Sequence, residues 1–273
     1  LLFPALLAAQ TPKQIGENLY AFISANDASA NATFLVTREG VLLVDSGLNE
    51  AEGRKLGSAI RSISDQPVRY LINTHYHPDH QGANGIVGPE AVVISTPYTR
   101  ARTMQLETRA LAGWKLQAAV LTFASELTIH IGGYDVEVRH PGPAHTRGDA
   151  MVYFPRQRAW ALGDLFLNRS SPAMDEGSAE NWVKALDTAL ATPAEMFVPG
   201  HFEVGSRDDA KLFRDYLADL VAQVRAGIAR NASLEDIQKQ LRVDKYRSFR
   251  QYPKYEATFA DNAATIYRQL AKR

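Results

Sequence analysis

Along its first half the chain sets short apolar runs against turn residues, the pattern of strands in a sheet. Asn18 to Ser24, Thr33 to Thr37 and Val41 to Asp45 predict three successive strands, the last two split by a Glu39-Gly40 turn. Over residues 49–64 the spacing becomes helical, through Ala51, Leu56, Ala59, Ile60 and Ile63. Residues 68–74 and Ala91 to Ser95 predict further strands, and Thr96-Pro97 opens a predicted helix of about twenty residues near 98–118. The middle returns to strands at Leu127 to Ile131, Tyr134 to His140, Ala150 to Phe154 and Ala159 to Leu162. A helix near 179–191 and the short strand Met196-Phe197-Val198 follow. Beyond them helical spacing dominates: Leu212, Phe213, Tyr216, Leu217, Leu220, Val221, Val224 and Ile228 share one stripe, and Ser233 with Asp236 predicts a capping box for the next helix. No solenoid repeat and no low-complexity linker interrupts the succession, so residues 10–273 read as one domain with a helical C-terminal part at 205–273.

With 273 residues, 45% of them hydrophobic and 22% charged, the chain can build a substantial core of ordinary globular composition. Thirty Lys and Arg offset thirty Asp and Glu, and the sequence pI is about 7.2. A nucleic-acid partner would favour a basic stripe, so none is expected; a small-molecule substrate is. Cysteine is absent, which excludes disulfides and thiolate ligation and leaves His and carboxylates as metal ligands. Residues 1–9, Leu-Leu-Phe-Pro-Ala-Leu-Leu-Ala-Ala, are too short to span a bilayer, which takes about 20 apolar residues. They resemble the end of a secretory signal peptide, with Ala8 and Ala9 before Gln10, and predict a periplasmic or secreted protein, with a cytoplasmic one as the alternative.

Candidate chemistry concentrates in Thr74-His75-Tyr76-His77-Pro78-Asp79-His80, where four metal-binding side chains fall within six positions after an apolar run. In extended backbone His75 and His77 point the same way, and Pro78 disfavours helix at His77. A short helix beginning at Pro78 sends Asp79 and His80 in new directions, so one pair can serve one ion and the other a neighbour. Further ligands are expected where strands run into loops: His145 after Pro141-Gly142-Pro143-Ala144, Asp164 after Trp160-Ala161-Leu162-Gly163, and His201 after Val198-Pro199-Gly200.

These residues resemble the metallo-β-lactamase superfamily. The matching elements are Leu43-Val44-Asp45-Ser46-Gly47, the His75 run, His145-Thr146-Arg147-Gly148-Asp149, Gly163-Asp164 and Pro199-Gly200-His201, in the family's order between about residues 18 and 202. The resemblance implies an α/β (α+β) fold, a four-layer αββα sandwich with a dinuclear site at one edge of its sheets. It also implies that His75, His77 and His145 hold one ion and Asp79, His80 and His201 the other, with Asp164 bridging and Asp45 orienting ligands from behind.

Two Zn²⁺ ions are the expected cofactors, with iron or manganese as alternatives. An ion pair about 3.5–4 Å apart can hold a bridging hydroxide and steady the oxyanion of a cleaved carbonyl substrate. The resemblance assigns Asp79 a part in proton transfer. Asp164 favours a glyoxalase II-like or lactonase-like ligand set over a dedicated β-lactamase, though the loop Asn168 to Ser178 lacks the Cys-Gly-Arg element of glyoxalase II. The expected substrate is an ester, lactone, thioester or amide, with β-lactams as a side activity. His and carboxylate suit iron equally, so the rivals are an iron oxidoreductase of the persulfide dioxygenase type and a non-catalytic metal-binding protein. His130 reads as a surface histidine, His140 as a neighbour of the His145 loop, and Asp149 as a brace for that loop. Trp114, Met104 and Leu106 read as helix packing with a substrate cleft as the alternative; Phe249, Tyr252, Tyr255 and Phe259 read as core. Asn31-Ala32-Thr33, Asn168-Arg169-Ser170 and Asn231-Ala232-Ser233 fit the glycosylation pattern.

Overall fold

The structure, a computed structural model, describes residues 11–107, 114–174 and 176–271. The signal-like residues 1–9 lie outside this range.

Seven strands form the first sheet in chain order: β1 (Lys13–Gly16), β2 (Leu19–Phe22), β3 (Ala32–Thr37), β4 (Gly40–Val44), β5 (Val68–Ile72), β6 (Val92–Ser95) and β7 (Leu121–Thr122). Pairing is antiparallel from β1 to β4 and parallel from β4 to β7. Parallel neighbours need crossovers, and these are α1 (Glu50–Arg61), the short helices α2 (Pro78–Gln81) and α3 (Asn84–Val87), and α4 (Pro97–Glu107). The second sheet contains β8 (Glu126–Ile131), β9 (Tyr134–Arg139), β10 (Met151–Phe154), β11 (Ala159–Ala161), β12 (Met196–Val198) and β13 (Gly205–Ser206), in the order β13-β12-β11-β10-β9-β8. Its outer face carries α5 (Ala179–Leu190), α6 (Arg207–Ala229) and α8 (Phe259–Ala271), with α7 (Leu234–Lys239) packed on α6 and α8.

Side-chain alternation shows why the strands are apolar throughout. In β4, Leu42 and Val44 face the second sheet, whereas Val41 and Leu43 face α1 through Leu56 and Ile60. In β10, Val152 and Phe154 meet the first sheet, and Met151 and Tyr153 face the α5–α6 layer with Trp182, Phe213 and Leu217. A strand buried on both faces cannot alternate with polar residues, so it reads as a continuous apolar run. The expected four-layer αββα sandwich is therefore present. No helix among the described residues is long and apolar enough to cross a membrane.

Several predicted bounds shift. The helix expected near 98–118 is α4, described over Pro97–Glu107; residues 108–113 fall outside the described residues, and 114–119 are not helical. There the Lys115 amide donates to Gly82 O (2.7 Å) and Lys115 O accepts from the Gly85 amide (2.9 Å), so this backbone is spent on the α2–α3 connection. The capping box predicted at Ser233 is half formed: its hydroxyl accepts from the Asp236 amide at 3.1 Å but donates to the Asp236 carboxylate at 2.6 Å. The full box stands at Ser206 and Asp209, opening α6.

Candidate metal centre

Strand β5 ends at Ile72, and the next five residues carry the chain across the sheet edge. His77, at φ −62° and ψ 140°, is extended and precedes α2, whose first residue is Pro78. His75 and His77 thus leave extended backbone together, and Asp79 and His80 leave from a helical turn. Asp45, immediately after β4, ties this loop down. Its Oδ1 accepts from the Thr74 amide (2.8 Å), and its Oδ2 accepts from the Thr74 hydroxyl (2.7 Å) and faces His80 Nδ1 at 2.7 Å. Asp45 does this from a left-handed backbone, φ 58°.

All seven expected ligands converge, in two groups whose donor atoms lie within 4.8 Å of one another: His75, His77, His145 and Asp164, and Asp79, His80 and His201. Asp164 faces both, with Oδ2 3.5 Å from His145 Nε2 and Oδ1 3.2 Å from His80 Nε2 and 3.6 Å from His201 Nε2. His145 Nε2 stands 3.3 Å from His77 Nδ1, His201 Nε2 3.1 Å from Asp79 Oδ2, and His80 Nε2 3.5 Å from the same oxygen. Donors about 2.0–2.1 Å from a tetrahedral ion stand roughly 3.3–3.4 Å apart, so these spacings suit an ion at the centre of each group. Spacing alone would also suit hydrogen bonds, but the buried atoms decide. His75 Nε2 is buried without a hydrogen-bond partner, and His80 Nε2 and Asp164 Oδ1, buried 3.2 Å apart, make no well-aligned hydrogen bond with each other or with anything else. Orphaned buried polar atoms are costly, and here they aim into the same space. The residues fit metal binding through nitrogen and oxygen donors.

The electrostatics divide the histidines. Burial, aided by His80, His77 and His145, pushes His75 well below the usual imidazole range, and burial takes His145 down to about 3. Both are neutral imidazoles, the form that binds metal. For His80 and His201 burial acts in the same direction, but the carboxylates outweigh it. Asp164, Asp79 and Asp45 hold His80 well above its ordinary value, and Asp164 and Asp79 raise His201. Burial disfavours the charged form of Asp164, yet His80 and His201 hold it well below the carboxylate range.

Two loops deliver the distant ligands. Asp149 accepts from the Thr146 amide (2.9 Å) and hydroxyl (2.6 Å), bracing the loop of His145, and burial pushes its carboxyl up to about 7. His140 Nδ1 meets Asp149 O at 2.7 Å, and exposed His130 pairs with Asp135, so neither touches the cluster. Gly200 lies so close to Asp164 that a Cβ there would sit 1.9 Å from Oδ1. Asn31 fastens the His201 loop: its side-chain amide donates to Pro199 O (3.1 Å) and Phe202 O (2.7 Å), and its backbone amide to Gly200 O (2.7 Å). This buried, engaged side chain rules out glycosylation of Asn31, the reading its tripeptide invites. The signal for its real role was an asparagine leading into a buried strand. Asn168, also buried, donates to Glu203 O, and its Asn-Arg-Ser pattern is equally uninformative.

A cleft of about 650 Å³ opens onto His77, Asp79, Asp164 and His201. Trp114, Leu48, Leu167, Phe202 and Tyr252 line it. Of the three residues with a cleft alternative, Trp114 takes it, whereas Met104 and Leu106 do not line the cleft. Tyr252, expected in the core, is at the cleft wall, parallel to the Phe202 ring. Phe249 and Phe259 do pack in the core beside Tyr216, and the Tyr255 side chain lies outside the described residues.

The family model of the metallo-beta-lactamase superfamily matches residues 25–201. The alpha subunit of 2,4-dinitroanisole O-demethylase from Nocardioides sp. is 27% identical over 195 residues, covering 69% of this chain and 58% of its own length. The metallo-beta-lactamase IND-1 of Chryseobacterium indologenes is 24% identical over 189 residues, covering 67% of this chain and 76% of its own. Among solved structures, the stereoselective inverting sec-alkylsulfatase Pisa1 from Pseudomonas sp. superposes with a TM-score of 0.74 at 16% identity, over 95% of this chain and 50% of its own. The chain thus spans less than two thirds of the demethylase subunit and half of the sulfatase. With its four layers, the matched span and the clustered His and Asp side chains, the chain belongs to the metallo-β-lactamase superfamily.

Proposed function

We propose that the protein is a metal-dependent hydrolase of carbonyl substrates, an ester, lactone, thioester or amide, working with two zinc ions. One observation carries this reading: seven nitrogen and oxygen donors, several of them buried and unpartnered, converge in two adjoining groups where a ligand-sized cleft opens. His75, His77 and His145 would hold one ion, Asp79, His80 and His201 the other, and Asp164 would reach both through its two oxygens. Such a pair supplies acidified water at neutral pH and positive charge for a developing oxyanion.

The chain's own residues do the rest. Asp45 faces His80 Nδ1 and would accept its proton there, which would leave His80 Nε2 to direct its lone pair at a bound ion. Asp79 opens onto the cleft and is the carboxylate to which we assign proton transfer. Burial works to raise its pKa, but His80 and His201 pull it below the usual carboxylate range. His75 and His145 are buried, and the Trp182 ring packs edge-on to His145 at 5.3 Å.

The test is His77→Ala, measured for zinc content and for turnover of phenyl acetate, a lactone, a thioester and nitrocefin. Metal and turnover should fall together. Unchanged turnover with less than one ion per chain would overturn the reading, and one iron per chain in unsupplemented protein would point to oxygen chemistry instead.

A further inference from the structure

The cleft walls restrict the ligand more tightly than the metal centre does. Beyond the expected ligands, the one charged side chain among the described lining residues is Asp27, exposed in the loop before β3. No lysine or arginine is among them. Arg250, on the segment that carries Tyr252, has its guanidinium over the Phe202 ring, 4.3 Å from the centroid. A carboxylate or sulfonate placed in this cleft away from the metals would lose water and meet Asp27 with no cation among the described lining residues to offset it, which is unfavourable. Apolar matter is served well, because Trp114, Leu48, Leu167, Phe202 and Tyr252 present aromatic and aliphatic surface.

Part of this wall lies beyond the family match. Phe202, Tyr252 and Ala257 follow residue 201, where the family match ends. The segment is held firmly: the Ser171 amide donates to Arg250 O (2.9 Å), and the Arg250 amide donates to Arg169 O (3.0 Å). Behind it the Asn262 amide donates to both the Ser171 and Tyr216 hydroxyls at 2.8 Å, joining the cleft floor to α8 and α6. A tethered wall that needs no ordering on binding gives better affinity and selectivity than a mobile one.

We propose that the cleft takes a neutral, flat, apolar substrate of the aryl ester or aryl lactone class, gripped by Trp114 and Tyr252, and that Asp27 turns away substrates with a negative charge remote from the reacting carbonyl. The substrate class rests on the hydrolase reading above. A unit charge about 8 Å from Asp27 shifts binding roughly two- to thirtyfold, depending on the local dielectric. The shift shrinks in high salt.

The experiment uses the zinc-loaded full chain with phenyl acetate and its 4-carboxy and 4-trimethylammonio derivatives. Asp27→Lys should raise the ratio of kcat/KM for the carboxylate over the neutral ester by several-fold and lower that for the cation. Tyr252→Ala and Trp114→Ala should raise KM for phenyl acetate about tenfold, with kcat changed much less and zinc content intact. A second readout needs no turnover. Trp160 and Trp182 are 0% and 1% exposed, so quenching by neutral 4-nitrobenzyl alcohol reports Trp114. Saturable quenching that is lost in Trp114→Phe and weakened in Tyr252→Ala is expected. If esters are hydrolysed but these ratios, KM values and quenching do not move, the inference falls and the hydrolase reading stands. If no ester is hydrolysed, the reverse holds provided the quenching behaves as stated.

Discussion

Replacing Asp45 with Asn separates the role of this carboxylate from every confounding change. Asn is isosteric and tolerates the left-handed φ of 58° that Asp45 adopts, where Ala would add strain. Asp45 has three donors around it: the Thr74 amide, the Thr74 hydroxyl and His80 Nδ1, at 2.8, 2.7 and 2.7 Å. An amide cannot satisfy all three. With its NH₂ in the place of Oδ2, it presents a donor to His80 Nδ1, which must become the acceptor; the ring proton then moves to Nε2, the atom aimed into the cluster. With the amide reversed, His80 is satisfied but the NH₂ faces the Thr74 N–H, two donors buried together. An unmet buried donor costs about 1–3 kcal/mol, equivalent to roughly 5- to 150-fold in an equilibrium constant. Outer contacts of metal ligands generally carry about 10–100-fold in affinity, the same range. The assay is competition for zinc against a chromophoric chelator, with the melting temperature of the metal-free protein measured in parallel. Asp45→Asn should weaken one of two zinc equivalents by that factor or, in the reversed orientation, lower the metal-free melting temperature. Two equivalents bound with wild-type affinity by a protein of wild-type stability would refute the assignment.

Two further predictions follow the same logic. Gly200→Ala places a methyl group 1.9 Å from Asp164 Oδ1, so Asp164 must move, and calorimetric titration should show one tight zinc equivalent lost, with about 1–3 kcal/mol of overpacking seen in melting. Asp209 caps α6 and sits below its ordinary value because bonds from Ser206 and Arg169 outweigh burial. A depressed carboxylate stabilises the fold above its unfolded pKa, about 3.9, and that contribution is lost as pH falls through the folded value. The melting-temperature gap between the chelated wild type and Asp209→Asn should therefore narrow below about pH 4; a gap constant from pH 7 to 3 would contradict it.

Much of the site was legible because its parts are local. His75 to His80 lie in six consecutive positions on a strand end and a Pro-led turn, and backbone geometry there depends on neighbours alone. His145, Asp164 and His201 stood out only as side chains where strands run into loops, and the family resemblance alone implied which ion each serves, since nothing in their own loops says that they meet. The strands of the sandwich were legible from their apolar runs; β1, β7 and β13, two to four residues long, carry too few side chains to show a period. What remained hidden depends on tertiary contact. The chain after α4 looked helical until the backbone of Lys115 was claimed by Gly82 and Gly85. Tyr252 looked like core because nothing in its own segment reveals that Arg250 is tied to Arg169 and Ser171, which sets the ring beside the cleft. Asn31 was hidden because its partners, Pro199, Gly200 and Phe202, are far away in sequence.

Anomalous diffraction at the zinc edge from crystals grown with zinc tests the central claim most directly. Two peaks are expected, one about 2.0–2.2 Å from His75, His77 and His145 and the other from Asp79, His80 and His201, with an Asp164 oxygen within reach of each. A cluster without density, or zinc bound away from these side chains, would contradict the account.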